Sequence, residues 1–322
     1  IHLIKSNPII WTLTDGSDGM ISQVKGLALE FGKNITEIKT DLIFPWNKLP
    51  PGIIPTFSWI FKNKLPSNIT PNVVISCGRK SVFLSLYIKK NFPHIVNIHI
   101  QNPKISSNYF TFVVVPSHDN LIGENIITSV GAIHHLKKNN IKSYNNYTKK
   151  SNLISCIIGG ENNHYYFNKN QAYDICKKIR NLKISNPSFD ILVITSRRTD
   201  SKTKNILKKQ LSSISKLWLG DGKNPYLFAI QNSDFFIITS DSTSMISEAS
   251  ISEKPIYIYQ LPFKRKSNRF ERFHNEFKRL KITRDFNNKE ILENWSYNSL
   301  NESERIAGII KKRIIEGNNE TK

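Results

Sequence analysis

The sequence predicts an α/β fold with two doubly wound parallel sheets, and three observations predict it. Short β-branched and aromatic runs alternate with helix-length segments from end to end, the pattern of parallel strands covered on both faces. The 322 residues exceed what one hydrophobic core holds, so two domains of ordinary size are expected. A polar, Lys- and Asn-rich stretch without apolar periodicity (135–152) separates the runs into two sets. This places a first domain over 1–140, a linker at 141–151, a second domain over 152–300, and a closing amphipathic helix with its tail over 301–322. The cleft between two such domains would be lined by loops at the carboxyl ends of strands, where ligands of these sheets bind.

In the first set, "PIIWTLT" (8–14) reads as a buried strand that turns at Asp15-Gly16-Ser17-Asp18-Gly19 into a helix. The glycines allow left-handed backbone and close approach of a ligand. G-x-G-x-x-G is absent, and two carboxylates would repel a bare phosphate. Asp15 and Asp18 suggest instead an acceptor hydroxyl and a general base; the plain alternative is an acidic turn of no chemical use. "NVVISC" (72–77) runs into Gly78-Arg79-Lys80-Ser81, an anion cradle at a helix start whose rival is a chance cap. The upstream glycine of a P-loop is missing, which argues against an NTPase. "HIVNIHI" (94–100) carries His99, read as a packed residue. "YFTFVVVP" (109–116) ends at His118-Asp119, an acceptor-orienting or acid/base pair, or else a satisfied surface turn.

In the second set, "NLISCIIGG" (152–160) ends on Gly159-Gly160, and "FDILVIT" (189–195) ends on Ser196-Arg197-Arg198-Thr199. Adjacent arginines at a strand's carboxyl end are hard to use in folding and easy to use on phosphates. "WLGDGKNPY" brings Asn224 in a turn, with Pro225 suited to the first helical turn, and is placed to meet a base. "DFFIIT" (234–239) passes through Ser240-Asp241-Ser242 into a helix from about Thr243 to Ile251, and "KPIYIYQ" (254–260) is the next strand. One cap needs one hydroxyl or carboxylate, and this stretch offers several. With Ser242 as cap the capping-box position is Met245, so Glu248 belongs to no box. Ser244 and Glu248 share a helical face, where a carboxylate needs ribose hydroxyls or a cation. Hydroxyls and free amides at the positive end of the helix suit a diphosphate. These loops gather on one face of the second sheet, and together they specify a nucleotide-diphosphate pocket. Finally, "NESERIAGIIKKRIIE" (301–316) spaces Ile306, Ile309, Ile310, Ile314 and Ile315 helically, with "GNNETK" expected to fray.

Composition narrows the function classes. No window approaches the about 20 apolar residues of a membrane span, and no signal pattern opens the chain. Cys77, Cys156 and Cys176 lack any ligand spacing, so buried reduced thiols are expected, not disulfides or zinc. His134-His135 are adjacent, H-E-x-x-H is absent, and Asp-x-Asp is absent; no metal or cofactor is expected. The formal charge of +21 is mostly Lys spread along the chain, without an RNP, zinc-finger or KH signature. It favours anionic company, such as nucleotides or an acidic membrane surface, and no nucleic-acid partner is expected.

"WTLTDGSDGMISQVKGLA", "ISCGRKS", "VVVPSHD", "TSVGAIHH", "IIGG", "TSRRT", "GDGKNPY" and "TSDSTSMISEA…KPIYIY", in this order over nearly the whole chain, resemble the mitochondrial-fission (elongated-mitochondria) family and its bacterial relatives. The resemblance implies a GT-B-like glycosyltransferase architecture: two Rossmann-like domains facing across a cleft, a nucleotide-sugar donor in the second, an acceptor in the first, no metal. By that resemblance Gly159, Gly160, Arg197, Arg198, Ser242, Thr243 and Ser244 meet the donor diphosphate, Glu248 the ribose. Asp15, Gly16, Ser17, Asp18, Gly19 and Gln23 form the acceptor loop, with Asp18 or Asp15 as the base of an inverting transfer. Arg79, Lys80 and His118 complete the acceptor side, and Ser196 and Asn224 the donor side. The implied function is transfer from a nucleotide-diphosphate sugar to a lipid-linked or cell-envelope acceptor. Plant members recruit dynamin-related proteins to the mitochondrial surface, so a non-catalytic adaptor with a protein partner is the alternative. The expected setting is a bacterial cytoplasm, peripheral on the inner face of a membrane.

Overall fold

The computed structural model describes residues 7–62, 65–66, 69–137, 152–287 and 292–320, and the linker expected at 141–151 lies outside them. The chain divides into two compact units, residues 1–136 with 301–322, and residues 137–300.

The first unit holds a six-stranded parallel sheet in the order β2-β1-β3-β4-β5-β6. Its strands are β1 (Ile10–Thr14), β2 (Ile35–Lys39), β3 (Val73–Cys77), β4 (Val96–Ile100), β5 (Phe112–Pro116) and β6 (Ile126–Ser129). Helix α1 (Asp18–Phe31) crosses from β1 to β2, and α2 (Arg79–Asn91) from β3 to β4. Val24, Leu27, Ala28 and Phe31 of α1 pack with Val73, Ile75 and Ile98 on one face. Leu84 and Ile88 of α2 pack with Trp11, Leu13 and Val74 on the other. Each such side chain contributes about 1.5–3 kcal/mol on burial.

The second unit repeats the plan in the order β12-β11-β10-β7-β8-β9. Its strands are β7 (Asn152–Ile158), β8 (Phe189–Thr195), β9 (Lys216–Trp218), β10 (Phe235–Thr239), β11 (Ile256–Tyr259) and β12 (Thr283–Asp285). The helices between them are α3 (Lys169–Ser185), α4 (Ser201–Leu211), α5 (Tyr226–Asn232), α6 (Thr243–Ala249) and α7 (Asn268–Arg279). Ile175 and Ile179 of α3 meet Leu207 and Leu211 of α4 over Ile154, Cys156 and Val193, while Phe228 and Ala229 of α5 cover Leu153, Leu192 and Ile194. The three cysteines are buried and free, as their apolar settings predict; burial pushes the Cys176 thiol up to about 11.

Helix α8 (Glu302–Glu320) returns to the first unit. Ile306, Ala307 and Ile310 enter the core beside α1, Ser303 Oγ donates to the His134 carbonyl (2.8 Å), and Lys311 Nζ to the Glu30 carbonyl (2.7 Å). The helix runs on through the 317–320 stretch expected to fray, because extending an existing helix adds one hydrogen bond per residue fixed. Gly26 of α1 lies so close to the His134–His135 backbone that a Cβ would sit 2.5 Å from it, which is why this turn of α1 carries no side chain.

Candidate functional site at the carboxyl ends of the second sheet

The turns after β7, β8 and β10 converge on one carboxylate, Asp241, two residues past the end of β10. Its side chain is fully buried, so it must be paired. Oδ1 accepts from Thr239 Oγ1 (2.6 Å); Oδ2 accepts from the Gly160 amide (3.1 Å) and from Arg198 Nη2 (2.5 Å). The Gly159 amide donates to Thr239 Oγ1 (2.8 Å), and Thr199 Oγ1 reaches the Gly159 carbonyl (2.5 Å). A Cβ on Gly159 would lie 2.2 Å from the Asp241 carboxylate oxygens, and one on Gly160 2.2 Å from the Arg198 carbonyl oxygen. The glycine pair thus lets two neighbouring turns close on the end of β7. Sequence reasoning noted Asp241 only as part of a turn. The signal that finds it is a carboxylate two residues past the end of a buried strand, with arginines at the end of another.

Ser196 and Thr199 lock the arginine turn from within: the Ser196 amide donates to Thr199 Oγ1 (3.0 Å) and the Arg198 amide to Ser196 Oγ (3.2 Å). Arg197 is exposed. Ser242 is the N-cap of α6, accepting from the Met245 amide (3.4 Å) as the cap reading expects. Thr243 and Ser244 stand half-exposed in the first turn. The partner that Glu248 requires is supplied by Tyr226, whose hydroxyl donates to Oε2 (2.7 Å). Burial and then that carboxylate hold the Tyr226 phenol well above its usual range, so it remains a donor. Asn224 accepts from the Tyr226 amide (3.0 Å) and starts α5.

Two further parts lie outside the sequence expectation. After β11, Lys264 Nζ pairs with Glu161 (2.7 Å), the Lys264 amide donates to the His164 carbonyl (2.8 Å), and Phe263 stacks on Tyr165. These contacts fix the exposed run Lys264-Arg265-Lys266 beside the loop that leaves Gly160. Behind the Asp241 turn, His274 Nε2 on α7 donates to the Ser240 carbonyl (3.0 Å), and burial pushes its imidazole down to about 4. The pocket between Gly160, Phe167, Arg198 and Thr203 has a volume of about 20 Å³, room for a single water.

In the first unit the Asp15 turn is local: Oδ1 accepts from the Ser17 amide (3.0 Å), and the Gly16 amide donates to Thr14 Oγ1 (3.1 Å). Gly16 takes a φ of +90°, the left-handed backbone expected of it. Ser17 is the N-cap of α1 with Asp18 and Gly19 in its first turn, and Asp18 is exposed. Two residues expected on the acceptor side have partners inside the unit. Gln23 is buried and returns its amide to the Gly19 carbonyl (3.1 Å), satisfied by its own helix. His118, expected to orient an acceptor or else to sit in a satisfied surface turn, is buried with Nε2 3.9 Å from Asp119. The Gly78 stretch is likewise engaged. Gly78 begins α2 at a φ of +85°, Arg79 donates to the carbonyls of Leu49 (2.6 Å) and Asn47 (2.7 Å), and Lys80 lies 3.6 Å from Asp41. His99 is packed as expected, bonded to Ser76 Oγ (2.8 Å) and pushed down to about 3 by burial.

Residues 18–314 match the family described as Mitochondrial fission ELM1. The chain belongs to that family. An uncharacterized Rickettsia prowazekii protein, RP120, is 28% identical over 347 residues, covering 94% of this chain and 97% of its own length. The Arabidopsis thaliana mitochondrial fission protein ELM1 is 22% identical over 277 residues, 76% of this chain and 64% of the plant protein. Among solved structures, the Methanocaldococcus jannaschii UDP-GlcNAc 2-epimerase in complex with UDP-GlcNAc and UDP matches with a TM-score of 0.53 at 13% identity, covering 94% of this chain and 99% of that one. The glycotransferase of kitacinnamycin matches with a TM-score of 0.52 at 12% identity, covering 95% and 90%. This family member therefore has the GT-B-type fold, two parallel six-stranded α/β units.

Proposed function

We propose that the second unit binds a nucleotide-diphosphate sugar and that the chain transfers the sugar, without a metal ion, to a lipid-linked or cell-envelope acceptor at the inner face of a membrane. The observation that carries this reading is the placing of exposed Arg197 and the exposed Lys264-Arg265-Lys266 run at the carboxyl ends of β8 and β11, beside turns that glycines let pack closely on one another. The same fold carries UDP-GlcNAc and UDP in the archaeal epimerase. Arg197 and the lysine-rich run face the diphosphate, with Ser196, Thr243 and Ser244 as hydroxyl donors. Glu248, oriented by Tyr226, takes the ribose, and Asn224 lies at the base. In the first unit, Asp18 or Asp15 takes the proton of the acceptor hydroxyl as its oxygen attacks the anomeric carbon. The nucleoside diphosphate leaves with the bonding electrons, its charge met by the guanidiniums.

The test is turnover of UDP-, GDP-, ADP- and CMP-linked sugars with isolated membranes as acceptor, reading transfer, hydrolysis and epimerisation separately. One donor is expected to turn over, and Asp15→Asn or Asp18→Asn to lower its rate by about 10²–10⁴. A second reading, an adaptor that recruits a partner protein to a membrane surface, is favoured by one observation: Arg198, Gly160 and Ser242 already have partners inside the unit. Binding without turnover, indifferent to both aspartates, supports the adaptor.

A further inference from the structure

Between β2 and β3 the first unit makes a long excursion whose ends are tied together. Leu42 bridges Phe61 antiparallel, the Ile43 amide donates to the Ile60 carbonyl (3.0 Å), and the Lys62 amide to the Asp41 carbonyl (3.0 Å). Leu42, Ile54 and Ile60 are buried against Val82, Phe83 and Phe110, and Arg79 clamps the carbonyls of Asn47 and Leu49. The excursion is therefore a built element with its own anchors. It nevertheless holds Phe44, Ile53, Phe57 and Trp59 in water, each between 53 and 72% exposed. Phe57 stacks on Trp59, and Trp46 meets Trp59 edge to face at 5.9 Å, so the rings form a joined apolar surface instead of scattered side chains. Anchoring a segment while leaving its largest apolar groups outside is the mark of an interaction surface.

Charge selects the partner. Residues 42–62 contain no acidic side chain. Lys48 stands 5.8 Å from the Phe44 ring, Lys62 and Lys80 share the one carboxylate of Asp41, and the exposed Arg79 adds a fourth cation. Exposed aromatic rings on a segment whose charges are mostly cationic match an interface of acyl chains below and anionic headgroups above, which satisfies both at once. We propose that the 41–62 excursion is a membrane-docking surface for anionic lipid. This deepens the membrane part of the function proposed above and rests on that part alone, not on sugar transfer.

The test is cosedimentation of the full chain with phosphatidylcholine vesicles and with vesicles of phosphatidylcholine and phosphatidylglycerol, together with quenching of tryptophan fluorescence by brominated lipid. Wild type is expected to bind the anionic vesicles and to be quenched by them. Phe57→Ser/Trp59→Ser is expected to lower binding by about tenfold or more, and Lys48→Glu by about tenfold, with an unchanged circular dichroism spectrum and melting temperature. Lys208→Glu/Lys209→Glu, on the exposed face of α4 in the other unit, changes more charge and is expected to leave binding within about twofold. Equal loss in that control, or retention in Phe57→Ser/Trp59→Ser, overturns the assignment in favour of diffuse charge. No binding to either vesicle overturns it in favour of a protein partner. A chain that turns over a sugar nucleotide yet ignores vesicles loses only the docking surface; one that binds vesicles through 41–62 without turnover loses only the transferase.

Discussion

After β1 in the first unit, the strand-to-helix turn is held by short local bonds, with Asp15 half-buried and Asp18 exposed. After β10 in the second unit, the strand-to-helix turn is built round a buried carboxylate that collects a hydroxyl, a backbone amide and a guanidinium from three separate segments. Two strand-to-helix turns thus serve two purposes. One turn is cheap to alter; the other knits β7, β8 and β10 into a frame.

The largest effect that tests this contrast is at the carboxylates. Asp241→Ala strands the Gly160 amide, the Thr239 hydroxyl and Arg198, and is expected to destabilise the second unit by about 3–5 kcal/mol in urea unfolding. Asp15→Ala removes a local bond and is expected to cost about 1 kcal/mol. Comparable losses would erase the distinction. Glycines come next. Gly160→Ala drives a Cβ into the rigid Arg198 backbone, for an expected loss of about 2–3 kcal/mol. At Gly16 the nearest atoms belong to the flexible Lys39 side chain, so Gly16→Ala is expected to lose about 1 kcal/mol, mainly from the left-handed backbone.

Acid sharpens the comparison less strongly. His99 in the first unit and His274 in the second are held down to about 3 and about 4, from an ordinary value of 6.5. Both stay neutral in the folded chain while the unfolded imidazoles take up protons. Their contribution is complete above pH 6.5 and lost as pH falls toward the folded values, at about 1.4 kcal/mol per pH unit for each. Chemical unfolding across that range is expected to show His274→Gln flattening the slope of the second unit only, and His99→Gln that of the first. A slope unchanged by both would mean that other groups carry the acid response.

The sequence made the interior of both sheets legible and hid their margins. The strand runs read from it are the four inner strands of each sheet, β1, β3, β4 and β5, then β7, β8, β10 and β11, whose apolar runs follow from burial on both faces. The four it missed, β2, β6, β9 and β12, are the edges. β9 and β12 are three residues long, β2 and β12 carry charge, and such features blunt an edge against pairing and against recognition alike. At the site, the turns were legible from hydroxyls, glycines and arginines after apolar runs. Their partners were not. Asp241 and Arg198 lie 43 residues apart and Tyr226 and Glu248 lie 22 apart, and no local pattern says which way a long side chain turns. Arg79 illustrates the point, since a residue suited to an anion spends its guanidinium on two backbone carbonyls.

The most direct measurement of the central claim is thermal stabilisation by sugar nucleotides in wild type, Arg197→Ala and Glu248→Gln. Arg197 is exposed, so its loss is expected to change the unliganded melting temperature least of all these variants, by less than about 0.5 kcal/mol of stability. One member of a UDP-, GDP-, ADP- and CMP-sugar panel is expected to stabilise wild type by about 2.7 kcal/mol at a hundredfold excess over its Kd. Both variants are expected to lose that stabilisation. No stabilisation by any member of the panel, or one that persists undiminished in both variants, would contradict a nucleotide site at the carboxyl ends of the second sheet.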